Sequence, residues 1–212
     1  METEKLIFEY LESKKEVEVL LVSEEGKEPA YVKEFPHTYI TASLFQELSS
    51  FPSKEEVILV AKGGLKKDIQ QLKEAPLVLD RIQDPGNMGT IIRSAEAFSF
   101  SSVLAIDSCE FENPKALRAS MGSSFRLDLF ALSLEEFLEN NSYPLLGADM
   151  EGVDYRSFLW DKDYALVIGN EGQGIDPKIR SHIRHFLSIP MGGQVESLNA
   201  AIAASLLMAS KR

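Results

Sequence analysis

Residues 77–106 read LVLDRIQDPGNMGTIIRSAEAFSFSSVLAI. The run opens on an apolar strand, Leu77–Ile82, and breaks at Pro85-Gly86. It resumes as a helix over Thr90–Phe98 and closes on a second strand, Ser102–Ile106. Strand, helix, strand over so short a span is the crossover that sets two strands parallel. The alternation continues downstream, with further strands expected at Arg126–Phe130, Leu145–Ala148, Ala165–Ile168 and Phe186–Ile189. Ser133 with Glu136 forms a capping box for a helix over Leu134–Asn140. Asp176-Pro177 supplies an N-cap and a proline at the first position of another helix. An apolar helix, Ser197–Ala209, closes the chain. Strands separated by helices predict an α/β domain with a mainly parallel sheet.

Upstream the pattern is looser. A helix is expected at about Glu4–Ser13, a strand at Val17–Val22, then a turn-rich stretch with Gly26, Pro29 and Pro36. Ser43 starts a short helix, and Val57–Ala61 is a strand. Lys62-Gly63-Gly64 breaks the chain before a polar connecting helix, Lys66–Glu74. This places a small α/β domain over residues 1–72 and a larger one over 73–212.

Composition bounds the function classes. With 212 residues, 44% hydrophobic and 26% charged, the chain can bury a core without a metal or disulfide staple. Cys109 is the single cysteine, so no intrachain disulfide forms. No apolar run approaches the roughly 18 residues that span a bilayer. The start, Met1-Glu-Thr-Glu-Lys, lacks the features of a signal peptide, and a reducing cytoplasm is the expected setting. His37, His182 and His185 offer at most a His-x-x-His pair with no third ligand nearby in sequence, so no metal site is expected. The net charge of −11 speaks against a basic nucleic-acid arm, and both halves are acidic. Nevertheless Arg81, Arg93, Lys115, Arg118 and Arg126 fall within one short stretch, and local patches rather than net charge bind phosphate.

Three loops follow strands of the second domain, where open parallel sheets bind ligands. In the first, Asn87 and Gly89 precede the expected helix, where backbone N–H groups can hold an anion. Arg93 would then lie in the first turn, against the helix dipole, either as a solvated side chain or aimed at a phosphate. The second loop, Gly169-Asn-Glu-Gly-Gln-Gly174, brings three glycines and Glu171 directly after a buried strand. It is neither a P-loop nor the Gly-x-Gly-x-x-Gly dinucleotide fingerprint. In the third, Ile189-Pro-Met191 leads through Gly192-Gly193 to Ser197-Leu-Asn199. Ser197 fits an N-cap, whereas Asn199 just inside a helix needs another reason.

Together the loops closely resemble the SpoU (TrmH-like) branch of the SPOUT RNA methyltransferases. The matches are Asn-x-Gly-x-x-x-Arg at Asn87, Gly89 and Arg93, then Gly-Asn-Glu-Gly-x-Gly, then Ile-Pro-Met…Ser-Leu-Asn. Arg118-Ala-Ser-Met-Gly-Ser123 looks like a further family segment, and order and spacing agree over residues 77–208. The resemblance implies a C-terminal trefoil knot, S-adenosylmethionine bound in it, and a homodimer with each site near the interface. The product would be a 2′-O-methylated ribose in rRNA or tRNA. It gives Arg93 the task of activating the 2′-hydroxyl, as a base or as an electrostatic clamp on a neighbouring phosphate, with Asn87, Glu171, Ser197 and Asn199 arranging it. Gly169, Ile189 and Leu198, with Gly174 and Met191, would hold the cofactor.

Arg81, Lys115, Arg118 and Arg126 are the expected RNA contacts. Relatives carry an RNA-gripping domain before the catalytic one. Residues 1–72 would be a shortened version of it, or else a packing appendage. Two other classes stay open: a catalytically silent RNA-binding SPOUT protein, and a nucleotide-dependent oxidoreductase, against which the glycine spacing argues.

Overall fold

The computed structural model describes residues 1–49, 56–66, 68–159, 163–193 and 197–211. The chain divides into two compact units, Met1–Gly64 and Leu65–Arg212. In the first, α1 (Glu4–Glu12) is capped by the Thr3 hydroxyl and buries Leu6, Ile7 and Tyr10. β1 (Val19–Ser23) is the central strand of three. It runs parallel to β2 (His37–Ile40) and antiparallel to β3 (Val57–Val60). Between β2 and β3 lies α2 (Ala42–Leu48), whose cap is Thr41. β2 falls in the stretch expected to be turns. His37, Thr38 and Tyr39 are all exposed, so no buried alternation marks it in the sequence.

The expected polar helix over Lys66–Glu74 is not formed. The described part carries one 3₁₀ turn, Ile69–Gln71. Lys66 makes a parallel bridge with Phe130, and Ile69 enters the core of the second unit. The units therefore part after Gly64, earlier than the boundary expected near residue 72.

The second unit runs β4 (Leu77–Asp80), α3 (Pro85–Ala97), β5 (Ser102–Ile106), α4 (Pro114–Ser120), β6 (Asp128–Leu132) and α5 (Leu134–Asn140). It continues through β7 (Leu145–Asp154), β8 (Ala165–Ile168), α6 (Pro177–Arg180), β9 (Ile183–Ser188) and α7 (Ala200–Met208). The six strands form one parallel sheet in the order β6-β5-β4-β8-β7-β9. Alternate residues feed two cores. Leu77, Leu79, Val103, Ala105, Leu166 and Ile168 meet α3 and α7 on one face. Val78, Leu104, Ile106, Ala165 and Val167 meet Phe137 of α5 and Ile179 of α6 on the other. Burial on both faces explains why these strands read as continuous apolar runs. Each buried Leu, Ile or Val contributes about 1.5–3 kcal/mol. From β4 the chain builds outward through β5 and β6, then returns on the other side with β8 beside β4. The crevice beyond β4 and β8 is the switch point at which such sheets bind ligands.

Three helix starts differ from expectation. α3 begins at Pro85, not Thr90. Asp84 is its N-cap, accepting the Asn87 N–H at 2.9 Å. Asp84-Pro85 is the same kind of start as Asp176-Pro177, an N-cap followed by proline. Asn113-Pro114 starts α4, for which no helix was expected. α7 begins at Ala200, with Asn199 as its cap. Arg93 consequently lies in the third turn of α3, beyond the reach of dipole repulsion. No anion site forms at this helix start either, because Asp84 already supplies the carboxylate. The Lys115 ammonium and the Asn87 N–H hold Asp84 below the usual carboxylate range.

Gly89 is needed for packing rather than for anion binding. A Cβ there would stand 2.2 Å from the Ala116 carbonyl oxygen and 2.6 Å from Ala119 Cβ, so α3 and α4 touch backbone to backbone. Gly89→Ala gains up to about 1 kcal/mol of helix propensity. It also forces two helices apart, an overpacking cost of about 1–3 kcal/mol. The clash dominates because the colliding atom is backbone, and a urea melt is expected to show net destabilisation. An unchanged midpoint would show that α4 yields freely.

Candidate active site

The three loops meet in a chain of side-chain amides. Asn199 Oδ1 accepts the N–H groups of Ala201 at 2.9 Å and Ile202 at 3.3 Å, capping α7. With its oxygen committed, Asn199 must present Nδ2 outward, and it donates to Asn87 Oδ1 at 2.9 Å. Asn87 in turn presents Nδ2 to Glu171 Oε1 at 2.6 Å. One helix cap thus fixes the orientation of both amides and one carboxylate, since each amide has one accepting and one donating end. The cap also accounts for asparagine at position 199.

Two spaces flank this chain. A cavity of about 370 Å³ is lined by Gly169–Gly174, by Ala148, Asp149 and Met150 of β7 just beyond its pairing with β8, and by Ile189, Met191, Ser197 and Leu198. Every residue expected to hold a cofactor lines it. An open groove of about 740 Å³ runs between α3, α4 and α7, lined by Asn87, Lys115, Arg118, Asn199, Ile202 and Leu206 among others. Glu171 lies on the cavity, and Asn87 and Asn199 lie on the groove.

The cavity suits S-adenosylmethionine. Ile168, Leu187, Ile189, Leu198 and Leu207 offer apolar surface to a flat base. The glycine-rich backbone offers hydrogen-bonding groups at close approach. Asp149 and Glu171 bring carboxylates to the wall, the charge a sulfonium and an ammonium call for. Burial works to raise the Asp149 carboxyl. The Glu151 N–H at 2.9 Å and the Arg180 guanidinium outweigh it and hold the group below the usual range. Asp149 and Met150 were not expected, because the part of β7 beyond Ala148 carries no motif. Gly169 is fixed by its own loop. A Cβ there would stand 2.5 Å from the Gly174 carbonyl carbon and the Ile175 nitrogen. Gly169→Val would therefore break the loop rather than merely crowd a ligand.

The basic residues are less united. Among the described residues the exposed Arg93 guanidinium has no hydrogen bond or ion pair, and it lines neither space. Six residues separate it from Asn87 on α3, which places the two side chains about 120° apart around the helix axis. Arg93 shares instead the face of Gly89, one turn earlier. Lys115 Nζ donates to Asp84 at 2.8 Å, and Arg126 grips Glu96 with two donors. Arg118 lies on the groove. Arg81 is turned inward, bonded to Asp80, Gln173 and the Gly174 carbonyl. Among the described residues no group of His, Cys, Asp and Glu could hold a metal ion. Burial pushes the Cys109 thiol up, which makes it a poor nucleophile.

A parallel sheet carries a glycine-rich cavity that suits a nucleotide-type cofactor, and an amide chain joins it to a groove lined in part by Lys115 and Arg118. Residues 74–209 match the family model for the SpoU rRNA methylase family, and the chain belongs to that family. It is 29% identical to the Bacillus subtilis 23S rRNA (guanosine(2553)-2′-O)-methyltransferase RlmP, over 98% of this chain and 86% of that protein. An uncharacterized tRNA/rRNA methyltransferase of Synechocystis is 37% identical over 64% of this chain, which spans about half (52%) of that relative's length. Among solved structures, the SpoU methyltransferase AviRb from Streptomyces viridochromogenes in complex with AdoMet superposes with a TM-score of 0.82 at 26% identity. That match covers 99% of this chain and 87% of AviRb.

Proposed function

We propose that the chain transfers a methyl group from S-adenosylmethionine to a ribose 2′-hydroxyl in rRNA or tRNA. The observation that carries this reading is the Asn199–Asn87–Glu171 chain, which ties the carboxylate on the cavity to the amides on the groove. The bound donor supplies an electrophilic methyl carbon on a sulfonium. The protein's part is to align the incoming 2′-oxygen and to hold the neighbouring RNA phosphate, which takes the hydroxyl proton as the methyl group leaves the sulfonium for the oxygen. Alignment alone is worth up to about 7–11 kcal/mol. Ser197, at the entry to α7, completes the wall against which the ribose is held. Arg93 acts as an electrostatic clamp on the phosphate beside the reacting ribose. Lys115 and Arg126 exchange internal carboxylates for RNA phosphates, since exposed ion pairs are worth only about 0–1 kcal/mol. Arg118 adds its charge from the groove.

In this reading the protein is a homodimer, and the phase of α3 gives a reason. Arg93 does not line the cavity of its own chain and serves that of the second copy. Ile202 and Leu206, 53% and 37% exposed on an otherwise apolar α7, offer the apolar part of such an interface. The segment carrying Ser197, Leu198 and α7 is threaded as a trefoil knot, so that the cavity is walled from two strand ends and from the C-terminus at once. Residues 1–64 act as an RNA-holding appendage. The working compartment is the cytoplasm, in keeping with the lack, among the described residues, of any helix able to cross a membrane.

The test is ribose-methylation mapping of total RNA with and without the gene, paired with calorimetry of the purified protein. Loss of methylation at a defined nucleotide and saturable S-adenosylmethionine binding, with no response to NAD, are expected. Unchanged RNA methylation together with no S-adenosylmethionine binding would overturn the proposal.

A further inference from the structure

Arg81 is the first residue beyond β4, and its backbone is left-handed at φ +55°. Lys14, Ser99, Asp107 and Met121 share that backbone region, so what sets Arg81 apart is the set of bonds its side chain makes. Its Nε and Nη2 fork onto the two oxygens of Asp80, at 2.9 and 3.1 Å. Nη1 reaches Gln173 Oε1 at 2.8 Å, and Nη2 also reaches the Gly174 carbonyl at 3.1 Å. The Arg81 carbonyl accepts from Asn170 Nδ2 at 2.9 Å, and Asp80, 1% exposed, accepts the Asp176 N–H at 2.6 Å.

The pairing of β4 with β8 ends at Leu79 and Ile168. These bonds carry the connection past the sheet and onto the loop that walls the cavity. The loop closes on itself through the Asn170 and Gly174 backbones. Gly174's carbonyl, which completes that closure, is the one Arg81 holds.

We propose that Asp80 and Arg81 are positioning residues for the methyl donor. Their ion pair shapes loop 169–174 before the donor arrives, and Arg81 acts on donor affinity rather than on RNA. The inference rests on the methyltransferase reading above. A buried carboxylate needs its charge partner, and a planar fork is what spans Asp80 and two loop acceptors at once. Lysine, a point charge, cannot replace it.

The informative variant is Arg81→Gly, because glycine accepts φ +55° without strain and keeps the turn while deleting the clamp. Arg81→Ala and Arg81→Lys serve as companions. For Arg81→Gly, calorimetry is expected to show S-adenosylmethionine affinity weakened about 10-fold. Hydrogen exchange at residues 170–175 should accelerate in the donor-free protein. The KM for the donor should rise while kcat at saturating donor and RNA affinity stay within about two- to three-fold. Arg81→Lys should resemble Arg81→Gly. Unchanged donor affinity in Arg81→Gly, or weakened RNA binding with normal donor affinity, would overturn the proposal. Failure of the unmodified protein to bind S-adenosylmethionine would instead strike the methyltransferase reading itself.

Discussion

Arg93→Ala is expected to lower methyl transfer by about 10²–10³-fold, the usual cost of removing one oriented charge-stabilising group, while leaving the protein folded. The wild-type side chain is exposed and, among the described residues, makes no hydrogen bond or ion pair. Alanine is a better helix former than arginine, so α3 loses nothing. The cavity lining does not include Arg93, so S-adenosylmethionine affinity should stay within two-fold by calorimetry. The loss therefore falls on kcat. Arg93→Lys separates the two roles open to this residue. A clamp on phosphate needs only positive charge, and lysine should keep part of the activity with a rate flat in pH. A base must shed a proton, and the lysine variant would then gain rate about ten-fold per pH unit toward lysine's ordinary pKa of about 10.4. The flat profile is expected, since arginine keeps its proton in proteins. Normal turnover by Arg93→Ala would remove the residue from the mechanism.

The sequence carried the central architecture because the decisive residues answer local demands. Strands buried on both faces must be apolar throughout, so β4, β5 and β8 were legible from Leu77, Val103 and Ala165 onward. The capping box at Ser133 and the Asp176-Pro177 start work through neighbours in sequence, and both are formed. β2 was missed because its side chains face solvent, where no pattern is imposed. α4 starts on Asn113-Pro114, a local cap-and-proline signal of the same kind as Asp176-Pro177.

At the site, the residue types of Asn87, Glu171 and Asn199 were readable, but their mutual bonds were not. The partners lie 84 and 112 positions apart, and nothing local reports such a contact. Arg81 shows the opposite case. Its charge suggested RNA, yet its partners are the preceding residue and a loop 92 positions away. Gly89 likewise looked like a loop glycine until α4 was seen against it.

Asn199→Asp is expected to abolish most activity while changing stability by no more than about 1 kcal/mol, the charge at the helix start offsetting the lost Asn87 bond. The carboxylate still accepts the Ala201 and Ile202 N–H groups, and a negative charge at a helix N-terminus is favoured by about 0.3–1 kcal/mol. Asn199→Ala, by contrast, would lose the cap at about 1 kcal/mol. What aspartate lacks is a donor for Asn87 Oδ1. Asn87 must either face an oxygen with its own oxygen or flip. Flipping offers Nδ2 to the new carboxylate and turns Oδ1 against Glu171, so one repulsive contact remains either way. In the flipped arrangement Glu171 loses the 2.6 Å bond that fixes it on the cavity, and in the other Asn87 is pushed off its place by the facing oxygen. A fall in kcat of about 10²-fold with a nearly unchanged thermal midpoint is expected, in line with losing one oriented group at a reacting centre. Near-normal turnover would show that the amide chain is a packing feature only. The same variant tests where Arg93 acts. In a two-fold dimer, random exchange of Arg93→Ala with Asn199→Asp subunits gives half mixed dimers. If Arg93 reaches the partner's cavity, each mixed dimer holds one intact site, and activity returns to about a quarter of wild type. If Arg93 serves its own cavity, every site in the mixture carries a defect and no activity returns.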